Sequence, residues 1–471
     1  ALLVPVIARY VTALRARLRD AQIAAPVYLI QSNGGAISLD AAVQAPVKLL
    51  LSGPSGGVLA AQKLANTLTT PDVVGVDMGG TSYDVAVVAG GDRTVVTQGE
   101  IDGLPVRVPM VEMNTIGAGG GSIAFVDPSG RLQVGPRSAG AVPGPVCYDR
   151  GGTEPTVTDV NLILGRLDAA TFLGGRFALD LDGARAALRD RIELPLSLTP
   201  DHAAAGILAV VNAKLAASIK FSLFAKGLDP RDFALMSFGG AGGLHAIEVA
   251  EELGITQVIF PRDPSTFSAH GILFSDIQHD LSRTEILPLA PASLPTLNAM
   301  ADDLRVRGSA LLDQDKMPED KRILTLTADL RYRGQAFELM TPMPDGPISP
   351  ETLATLRNRF EDQHRQRFSF DDPKEAVELV TMRLTAIGVL GDADLPVVPY
   401  APSETAAVTH RPVHVDGGWF DTPVHRQLSL AQGATVTGPA IIEQEYTTLL
   451  IPGRWSLTMT ANGDMTARKK P

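Results

Sequence analysis

Short apolar runs alternate with glycine turns across residues 72–97. The runs VVGVD, YDVAVVA and RTVVT are separated by GGTS and GGD. Valine-rich runs of this length bounded by glycine are typical of β-strands joined by tight turns. The pattern therefore predicts three strands, with the first glycine turn at residues 79–82.

A longer periodic segment lies in the middle of the chain. Apolar side chains that include Ile207, Val211 and Leu215 recur at helical spacing, which predicts one long, mostly buried helix over residues 201–226. A short apolar run, the glycine-rich run GGAGG, a helix and a second apolar run follow within residues 234–260. This order predicts a β-loop-α-β unit.

Turn-forming residues and shifts of composition divide the rest of the chain. Glycine, proline and serine dominate residues 117–158, which predicts loops on a scaffold. The run SGPSGG is expected to be a turn that introduces an alanine-rich helix over residues 58–68. Proline and charged residues become frequent near residue 290, where we place a domain boundary.

The pattern as a whole predicts an α/β chain with three parts. The first two parts are residues 1–70 and residues 71–290. The third is residues 291–471, where predicted strands flank a helix and indicate a separate α+β domain.

Composition narrows the classes of partner. The chain has 471 residues and a formal net charge of −11, which argues against a nucleic-acid or anionic-membrane surface. Cys147 is the single cysteine, so an internal disulfide is excluded and a reducing, cytoplasmic compartment is expected. No apolar run is expected to reach the roughly 20 residues of a bilayer-spanning helix, which predicts a soluble protein without a membrane partner.

Two common phosphate-binding motifs are absent. The sequence contains no G-x-x-x-x-G-K-[ST] run, which excludes a P-loop. The run from Gly240 has His245 where a dinucleotide-binding motif requires its third glycine, so a Rossmann site is disfavoured.

The turn in DMGGTSYD offers a different way to bind phosphate. Gly79 and Gly80 lack Cβ atoms, so their N–H groups can approach phosphate oxygens closely. Thr81 and Ser82 add hydroxyl donors. The turn is therefore a candidate phosphate cradle.

Two carboxylates flank this turn. Asp77 ends the first strand and Asp84 begins the second, so both are candidate Mg²⁺ ligands. Asp77 can also orient a nucleophile, and we assign catalytic roles to Asp77, Thr81 and Asp84.

An ordinary β-hairpin turn is the simpler interpretation of this segment taken alone. A second glycine loop, with Gly239, Gly240 and Gly242 on a predicted strand-loop-helix unit, makes a nucleotide site the better interpretation.

Other candidates carry open alternatives. Gly119, Gly120 and Gly121 either donate N–H groups to an anion or form a solvent-exposed loop. His245 either contacts substrate or is satisfied by a neighbouring backbone carbonyl.

These glycine loops resemble those of a known superfamily. DMGGTSYD resembles the second phosphate loop, and SFGGAGG the adenosine-side loop, of the superfamily that unites actin, sugar kinases and heat-shock chaperone ATPases. The resemblance implies an actin-like ATPase fold, related to ribonuclease H, in which residues 71–290 carry the phosphate and adenosine loops. It also implies that residues 1–70 are the remainder of the N-terminal half of the nucleotide-binding domain.

A more specific resemblance extends along the chain. The runs SNGG, SGPSGG, DMGGTSYDV, TIGAGGGSIAFVD, PTVTDVNLILGRL, RGQAFEL and GPAIIEQ occur in the order typical of the hydantoinase A subunit and 5-oxoprolinase family, to which acetone and acetophenone carboxylase subunits belong. Family members begin with a first phosphate loop, D-x-G-G-T-F-T-D, and no such loop precedes Ala1. The chain is therefore expected to lack the N-terminal part of the family's nucleotide domain. Tyr83 and Gly243 also stand where the family often has Thr and Pro.

The resemblance implies an ATP- and Mg²⁺-dependent hydrolase of cyclic amides. The substrate carbonyl oxygen would be phosphorylated on this chain, and hydrolysis would be completed in a hydantoinase B-type partner subunit of a hetero-oligomer. The small-molecule substrate would be a lactam or hydantoin, or a ketone if the chain belongs to a carboxylase. A non-catalytic, nucleotide-dependent regulatory module on the same fold is the remaining alternative.

Overall fold

The computed structural model describes residues 3–97, 99–101, 104–106, 108–391, 400–402 and 406–470. The chain packs into two compact units, and each is built from separate stretches of sequence. The smaller unit comprises Ala1–Ser55, Val95–Met110 and Leu273–Asp394, and the larger comprises Gly56–Thr94, Val111–Ile272 and Leu395–Pro471. These units differ from the predicted contiguous ranges 1–70, 71–290 and 291–471, because distant segments of the chain share a core.

The smaller unit is a six-stranded sheet with helices. Its strands, in order across the sheet, are Tyr28–Ile30, Ala36–Ser38, Ile277–Pro288, Val377–Gly388, Arg322–Tyr332 and Leu339–Pro342. Its helices are Leu3–Asp20, Leu39–Gln44, Leu294–Gln314 and Pro350–Phe368, with single 3₁₀ turns at Pro46–Leu49, Pro291–Ser293 and Glu319–Lys321. A hairpin of Gly99–Ile101 and Leu104–Val106 also belongs to it.

Alternation of apolar and polar residues places one face of this sheet on its helices. In the strand Val377–Gly388, buried residues such as Met382 and Leu384 alternate with more exposed ones over most of its length. Met382 and Leu384 share a core with Leu304 of the helix Leu294–Gln314. A period of two is what a half-buried antiparallel strand requires.

The larger unit is centred on a nine-stranded sheet. Its main order is Asn114–Ile116, Tyr83–Ala89, Val73–Met78, Ala234–Phe238, Gln257–Phe260, Met465–Lys469, Trp455–Met459 and Thr435–Thr437, and Asp92–Arg93 pairs beside this path with Tyr83–Ala89. A four-stranded sheet comprises Thr409–Val415, Gly418–Arg426, Ala440–Glu443 and Thr448–Ile451, and a hairpin comprises Ser122–Val126 and Leu132–Ser138. The short strands Val95–Val96 and Met110–Val111 lie where the chain passes between units.

Helices complete the larger unit. They are Ser52–Thr67, whose first four residues belong to the smaller unit, and Val157–Ile163, Leu181–Leu188, Leu194–Leu196, Pro200–Phe224, Ala246–Leu253 and Phe267–Ile272. Single 3₁₀ turns lie at Val146–Tyr148, Phe172–Gly175, Pro230–Asp232, Gly242–Leu244 and Gln427–Ser429, and a π turn lies at Arg189–Glu193. The chain is thus a mixed α/β protein.

Three neighbouring strands of the nine-stranded sheet run parallel. Ala234–Phe238 pairs in parallel with Val73–Met78 on one side and with Gln257–Phe260 on the other. All five residues of Ala234–Phe238 are buried, as expected for a strand covered on both faces. The carboxyl ends of these strands therefore meet at one edge of the sheet.

The predicted long helix is present as Pro200–Phe224, and Leu215 and Ile219 are fully buried in the core of the larger unit. Among the described residues it is one helix that is long and apolar enough to span a bilayer, with a mean hydropathy of 1.6 over its most apolar window. The expectation that no apolar segment reaches this length was wrong, because alanines extend the apolar stretch. Half of that window is buried within the protein, as in a core helix.

Candidate active site

A tight β-hairpin carries the candidate phosphate cradle. The strands Val73–Met78 and Tyr83–Ala89 are antiparallel, and residues 79–82 form the turn between them. A Cβ added to Gly79 or Gly80 would meet no atom within 4 Å, and Gly80 and Thr81 are exposed. Gly79 N donates to Ser82 O at 3.2 Å, so the predicted approach of this N–H to a phosphate is replaced by a hydrogen bond within the turn. The turn, here named the phosphate hairpin (residues 77–84), presents Gly80 and Thr81 to solvent.

Two carboxylates lie opposite each other at the base of this turn. Asp77 and Asp84 are direct cross-strand partners. Asp77 Oδ2 accepts a hydrogen bond from Ser268 Oγ at 3.1 Å, and Asp84 Oδ1 accepts one from Thr115 Oγ1 at 2.5 Å. Each carboxylate is therefore held by a hydroxyl.

The environment of this pair disfavours two negative charges. Burial raises the pKa of Asp77 above its ordinary value, and the charge of Asp84 raises it further, whereas the bond from Ser268 opposes the rise. Burial also raises the pKa of Asp84. A nearby positive charge would oppose both effects, because it favours the charged form of a carboxyl group.

The second glycine loop begins at the same edge of the sheet. Phe238 is the direct parallel partner of Asp77, so the loop after Phe238 emerges beside the phosphate hairpin. Ala241 N donates to Met78 O at 2.9 Å. Gly239 has a φ of +82°, and a Cβ there would lie 2.4 Å from Asp77 Oδ1, so only glycine fits. The two loops are therefore in direct contact.

The loop at residues 119–121 has a different role from the one predicted. Gly120 N donates to Gly79 O at 3.0 Å and Gly121 N donates to Gly80 O at 2.7 Å, while Gly119 N donates to Ser122 Oγ at 2.8 Å. These three donors are already engaged within the protein. The alternative of a solvent-exposed loop is also wrong, since all three glycines are buried. This segment, here named the brace loop (residues 119–121), supports the phosphate hairpin through its hydrogen bonds to the carbonyl groups of Gly79 and Gly80.

A capped helix fixes the brace loop in turn. Thr158 donates to Gly120 O through both its N–H and its hydroxyl group, each at 2.8 Å. Thr158 lies in the first turn of the helix Val157–Ile163, and a capping box between Thr156 and Asp159 closes the start of that helix. Hydrogen bonds thus connect the helix to the brace loop, and the brace loop to the phosphate hairpin.

His245 does not face an open site. It is 1% exposed, Nδ1 donates to Asn212 Oδ1 at 2.7 Å, and Nε2 accepts from Asn161 Nδ2 at 3.3 Å. Burial lowers its pKa to about 4, so the ring is neutral near pH 7. The predicted contact with substrate is therefore replaced by a buried polar network. Two asparagine side chains satisfy the ring, rather than the backbone carbonyl considered from sequence.

A cavity of about 670 Å³ adjoins the second glycine loop. Gly240 and residues 262–266 line one part of it, and Arg176 and Tyr446 line another. The guanidinium of Arg176 lies 5.4 Å from the centroid of the Tyr446 ring, and its Nη2 donates to the Tyr446 hydroxyl at 2.9 Å. The volume of the cavity is within the range of cavities that enclose small ligands.

Sequence reasoning missed this cavity. Residues 262–266 follow the strand Gln257–Phe260, which is the third parallel strand at this edge. Ligands bind at the carboxyl ends of parallel strands, so these residues were accessible to prediction from the strand order. Tyr446 comes from a segment about 200 residues away from Gly240 in the sequence, and no local pattern indicates that proximity.

The chain matches two models of one protein family. The hydantoinase/oxoprolinase model matches residues 1–281, and the hydantoinase/oxoprolinase C-terminal domain model matches residues 291–462. The chain belongs to the hydantoinase/oxoprolinase family. The family resemblance inferred from sequence is confirmed.

Individual relatives cover almost all of the chain. Caprolactamase subunit alpha of Pseudomonas jessenii is 37% identical over 466 residues, which are 98% of this chain and 67% of that protein. The crystal structure of ATP-dependent caprolactamase from the same organism superimposes with a TM-score of 0.88 at 35% identity, covering 99% of this chain and 69% of that one. The nucleotide-free acetone carboxylase structure gives a TM-score of 0.78 at 26% identity, covering 98% and 66%. The chain thus spans about two thirds of the length of the relatives it matches.

Proposed function

We propose that this chain is the nucleotide-binding subunit of an ATP-dependent cyclic-amide hydrolase. In this proposal it has an actin-like ATPase fold, binds ATP and Mg²⁺, and works in the cytoplasm as part of a hetero-oligomer with a hydantoinase B-type subunit. It phosphorylates the carbonyl oxygen of a lactam or hydantoin before hydrolysis in the partner. The caprolactamase and 5-oxoprolinase names among its relatives support this substrate class.

The parallel pairing of Asp77 with Phe238 is the observation that carries this proposal. That pairing starts the phosphate hairpin and the second glycine loop from adjacent points of one sheet edge. The exposed turn at residues 79–82 suits phosphate oxygens, and the cavity beside Gly240 suits a base and ribose. One nucleotide can therefore reach both loops.

The residues at the turn fit a Mg²⁺ ion with a largely aqueous shell. Asp77 and Asp84 supply carboxylate oxygens, and no group of three metal-ligating side chains lies together in the part of the chain that the structure describes. Mg²⁺ commonly takes one or two carboxylates plus water and phosphate oxygens. Bound there, it would neutralise charge on the phosphates.

The proposed chemistry depends on aligning ATP with the substrate carbonyl oxygen, and it needs no nucleophile from the protein. An amide carbonyl is a weak electrophile, and transfer of the γ-phosphoryl group of ATP to its oxygen releases ADP and leaves an imidate whose phosphate can depart. Thr81, Ser82 and the N–H of the exposed residue Gly80 would hold the phosphates, and Asp77 would orient the attacking group. Water then adds to the activated carbon, and the ring C–N bond breaks in the partner subunit to leave an amine and an acyl phosphate. A second water hydrolyses the acyl phosphate to the carboxylate and free phosphate.

A ketone carboxylase is the second candidate. The similarity to acetone carboxylase favours it, because phosphorylation of an enolate oxygen uses the same site. The same nucleotide geometry also fits a regulatory module that turns over no small substrate. An assay of substrate-stimulated activity is therefore needed to distinguish these candidates.

Phosphate release separates these candidates. The chain is co-expressed with a B-type subunit, and the purified complex is assayed with ATP, Mg²⁺ and either 5-oxoproline, caprolactam, hydantoin, or acetone with bicarbonate. We expect a lactam or hydantoin to stimulate release of ADP and phosphate in step with ring opening. Stimulation by acetone alone would overturn the hydrolase in favour of the carboxylase. Nucleotide binding without stimulation by any substrate would support the regulatory module.

A further inference from the structure

The run SGPSGG lies inside a helix, although a turn was predicted. The helix Ser52–Thr67 includes Gly56 and Gly57 in its second turn. Glycine in a helix interior is less favourable than alanine by about 1 kcal/mol. Two successive glycines there therefore indicate that another group approaches the backbone closely.

That group is the short helix Phe267–Ile272. A Cβ on Gly56 would lie 2.4 Å from the carbonyl oxygen of Ser268, and a Cβ on Gly57 would lie 2.8 Å from Ser268 Oγ. From the other side, a Cβ on Gly271 would lie 1.9 Å from Gly56 O. The two helices are thus in backbone contact, with Ser268 at the centre of the contact.

This packing directs Ser268 to the phosphate hairpin. The Phe267 ring packs on Phe238, with 4.8 Å between ring centroids, which fixes the start of the short helix beside the second glycine loop. Ser268 Oγ then donates to Asp77 Oδ2 at 3.1 Å. The other oxygen, Oδ1, faces Gly239, where a Cβ would lie 2.4 Å away. Both oxygens of Asp77 are therefore confined.

We infer that Ser268 is a positioning residue that fixes the orientation of the Asp77 carboxylate, whose cross-strand partner is Asp84, and that the glycine packing of the two helices serves to place Ser268. The inference rests on the proposed role of Asp77 at the nucleotide site. Ser268 acts through Asp77, since its hydroxyl is committed to that carboxylate. Without the hydroxyl, one Asp77 oxygen loses its partner and the side chain can turn toward solvent.

Calorimetric titration of ATP at a series of Mg²⁺ concentrations tests the inference. We expect Ser268→Ala to raise the Mg²⁺ concentration for half-maximal ATP affinity about tenfold, consistent with loss of one hydrogen bond to a carboxylate. Affinity measured without Mg²⁺ should not change. Ser268→Thr, which keeps the hydroxyl, should restore the wild-type Mg²⁺ dependence.

The matched control is Ser222→Ala. Ser222 is half-buried and its Oγ donates to Ser218 O at 3.0 Å within the helix Pro200–Phe224. It should show the wild-type Mg²⁺ dependence. Equal behaviour of Ser268→Ala and Ser222→Ala would overturn the inference, as would a Ser268→Thr variant impaired as strongly as Ser268→Ala.

A crystal structure of Ser268→Ala separates this inference from the proposed function. If the wild-type chain bound no ATP at any Mg²⁺ concentration, the nucleotide proposal would fail. The variant structure would still decide the positioning role. A rotated Asp77 side chain supports that role, and an unchanged Asp77 conformation contradicts it.

Discussion

The phosphate hairpin and the brace loop are both glycine-rich, yet they use their glycines differently. Gly79 and Gly80 have open space where a side chain would be, and Gly80 is exposed. Gly119 and Gly121 have no such space, because a Cβ at either would lie within 2.9 Å of the hairpin backbone. One loop is open to a ligand, and the other is a packing surface.

The difference shows how a glycine run should be interpreted. Backbone N–H groups bind an anion only if no carbonyl already accepts from them, and buried donors are normally satisfied within the protein. The sequence displays the glycines but not the acceptors. Changes in the hairpin should therefore affect ligand binding and catalysis, whereas changes in the brace loop and its supports should affect stability.

The largest effect is expected at Asp77. Replacing it with Asn removes a charge at the proposed phosphate site, so substrate-stimulated phosphate release should fall about 100-fold, the loss typical of one preorganised electrostatic group. Kinetics of the complex with its partner subunit measure this. Asp182→Asn, at a side chain that is 97% exposed, is the control and should retain activity. Full activity in Asp77→Asn would remove the hairpin from the mechanism.

His245 should affect stability through pH. Its folded pKa, lowered by burial to about 4, lies below the ordinary value of 6.5, so the neutral ring stabilises the fold above pH 6.5 and this contribution is lost as pH falls toward 4. The loss amounts to about 3 kcal/mol. Urea unfolding of wild type and His245→Gln at pH 7 and pH 4 should show a smaller decline in the variant. Equal declines would mean that His245 is not the group responsible.

The sharpest contrast between the two loops comes from a pair of alanine substitutions. Gly119→Ala places a Cβ 2.7 Å from the backbone of Gly79 and Gly80, and should lower the free energy of unfolding by about 1–3 kcal/mol through overpacking. Gly80→Ala meets no atom within 4 Å and should leave stability nearly unchanged. Thermal and urea unfolding measure both. Comparable destabilisation of the two variants would contradict the distinction between the loops.

The smallest effect is expected at Thr81. Its exposed hydroxyl has no side-chain partner among the described residues, so Thr81→Ala should leave stability unchanged. ATP affinity should fall about tenfold through loss of one hydrogen bond to a charged phosphate. Thr67→Ala, at an exposed helix position, is the control for calorimetry. Unaltered affinity in Thr81→Ala would place the phosphates elsewhere.

Local patterns were enough to predict much of this fold. Valine-rich runs around Gly79 predicted the first two hairpin strands, and the spacing of Ile207, Val211 and Leu215 predicted the long helix. Both patterns are local, because each can be recognised within a single strand or a few helical turns. The third predicted strand is broken into two-residue pieces at Asp92–Arg93 and Val95–Val96. The three contiguous ranges predicted from the sequence differ from the two compact units, because both units combine distant segments.

The candidate site was predicted only where a motif is local. Asp77, Thr81 and the loop after Phe238 could be found from glycine patterns, and their adjacency required the strand order. The contacts of Ser268 with Asp77 and of Tyr446 with the cavity join residues 191 and more positions apart in sequence. The burial of His245 similarly depends on Asn212 and Asn161. Such contacts follow from packing, which a single sequence does not display.

A crystal structure of the chain with Mg²⁺ and a non-hydrolysable ATP analogue tests the central claim most directly. We predict terminal phosphates within hydrogen-bonding distance of residues 79–82, the metal beside Asp77 and Asp84, and the base in the cavity that adjoins Gly240. A nucleotide bound away from the phosphate hairpin, or phosphates held by residues 119–121, would contradict the account.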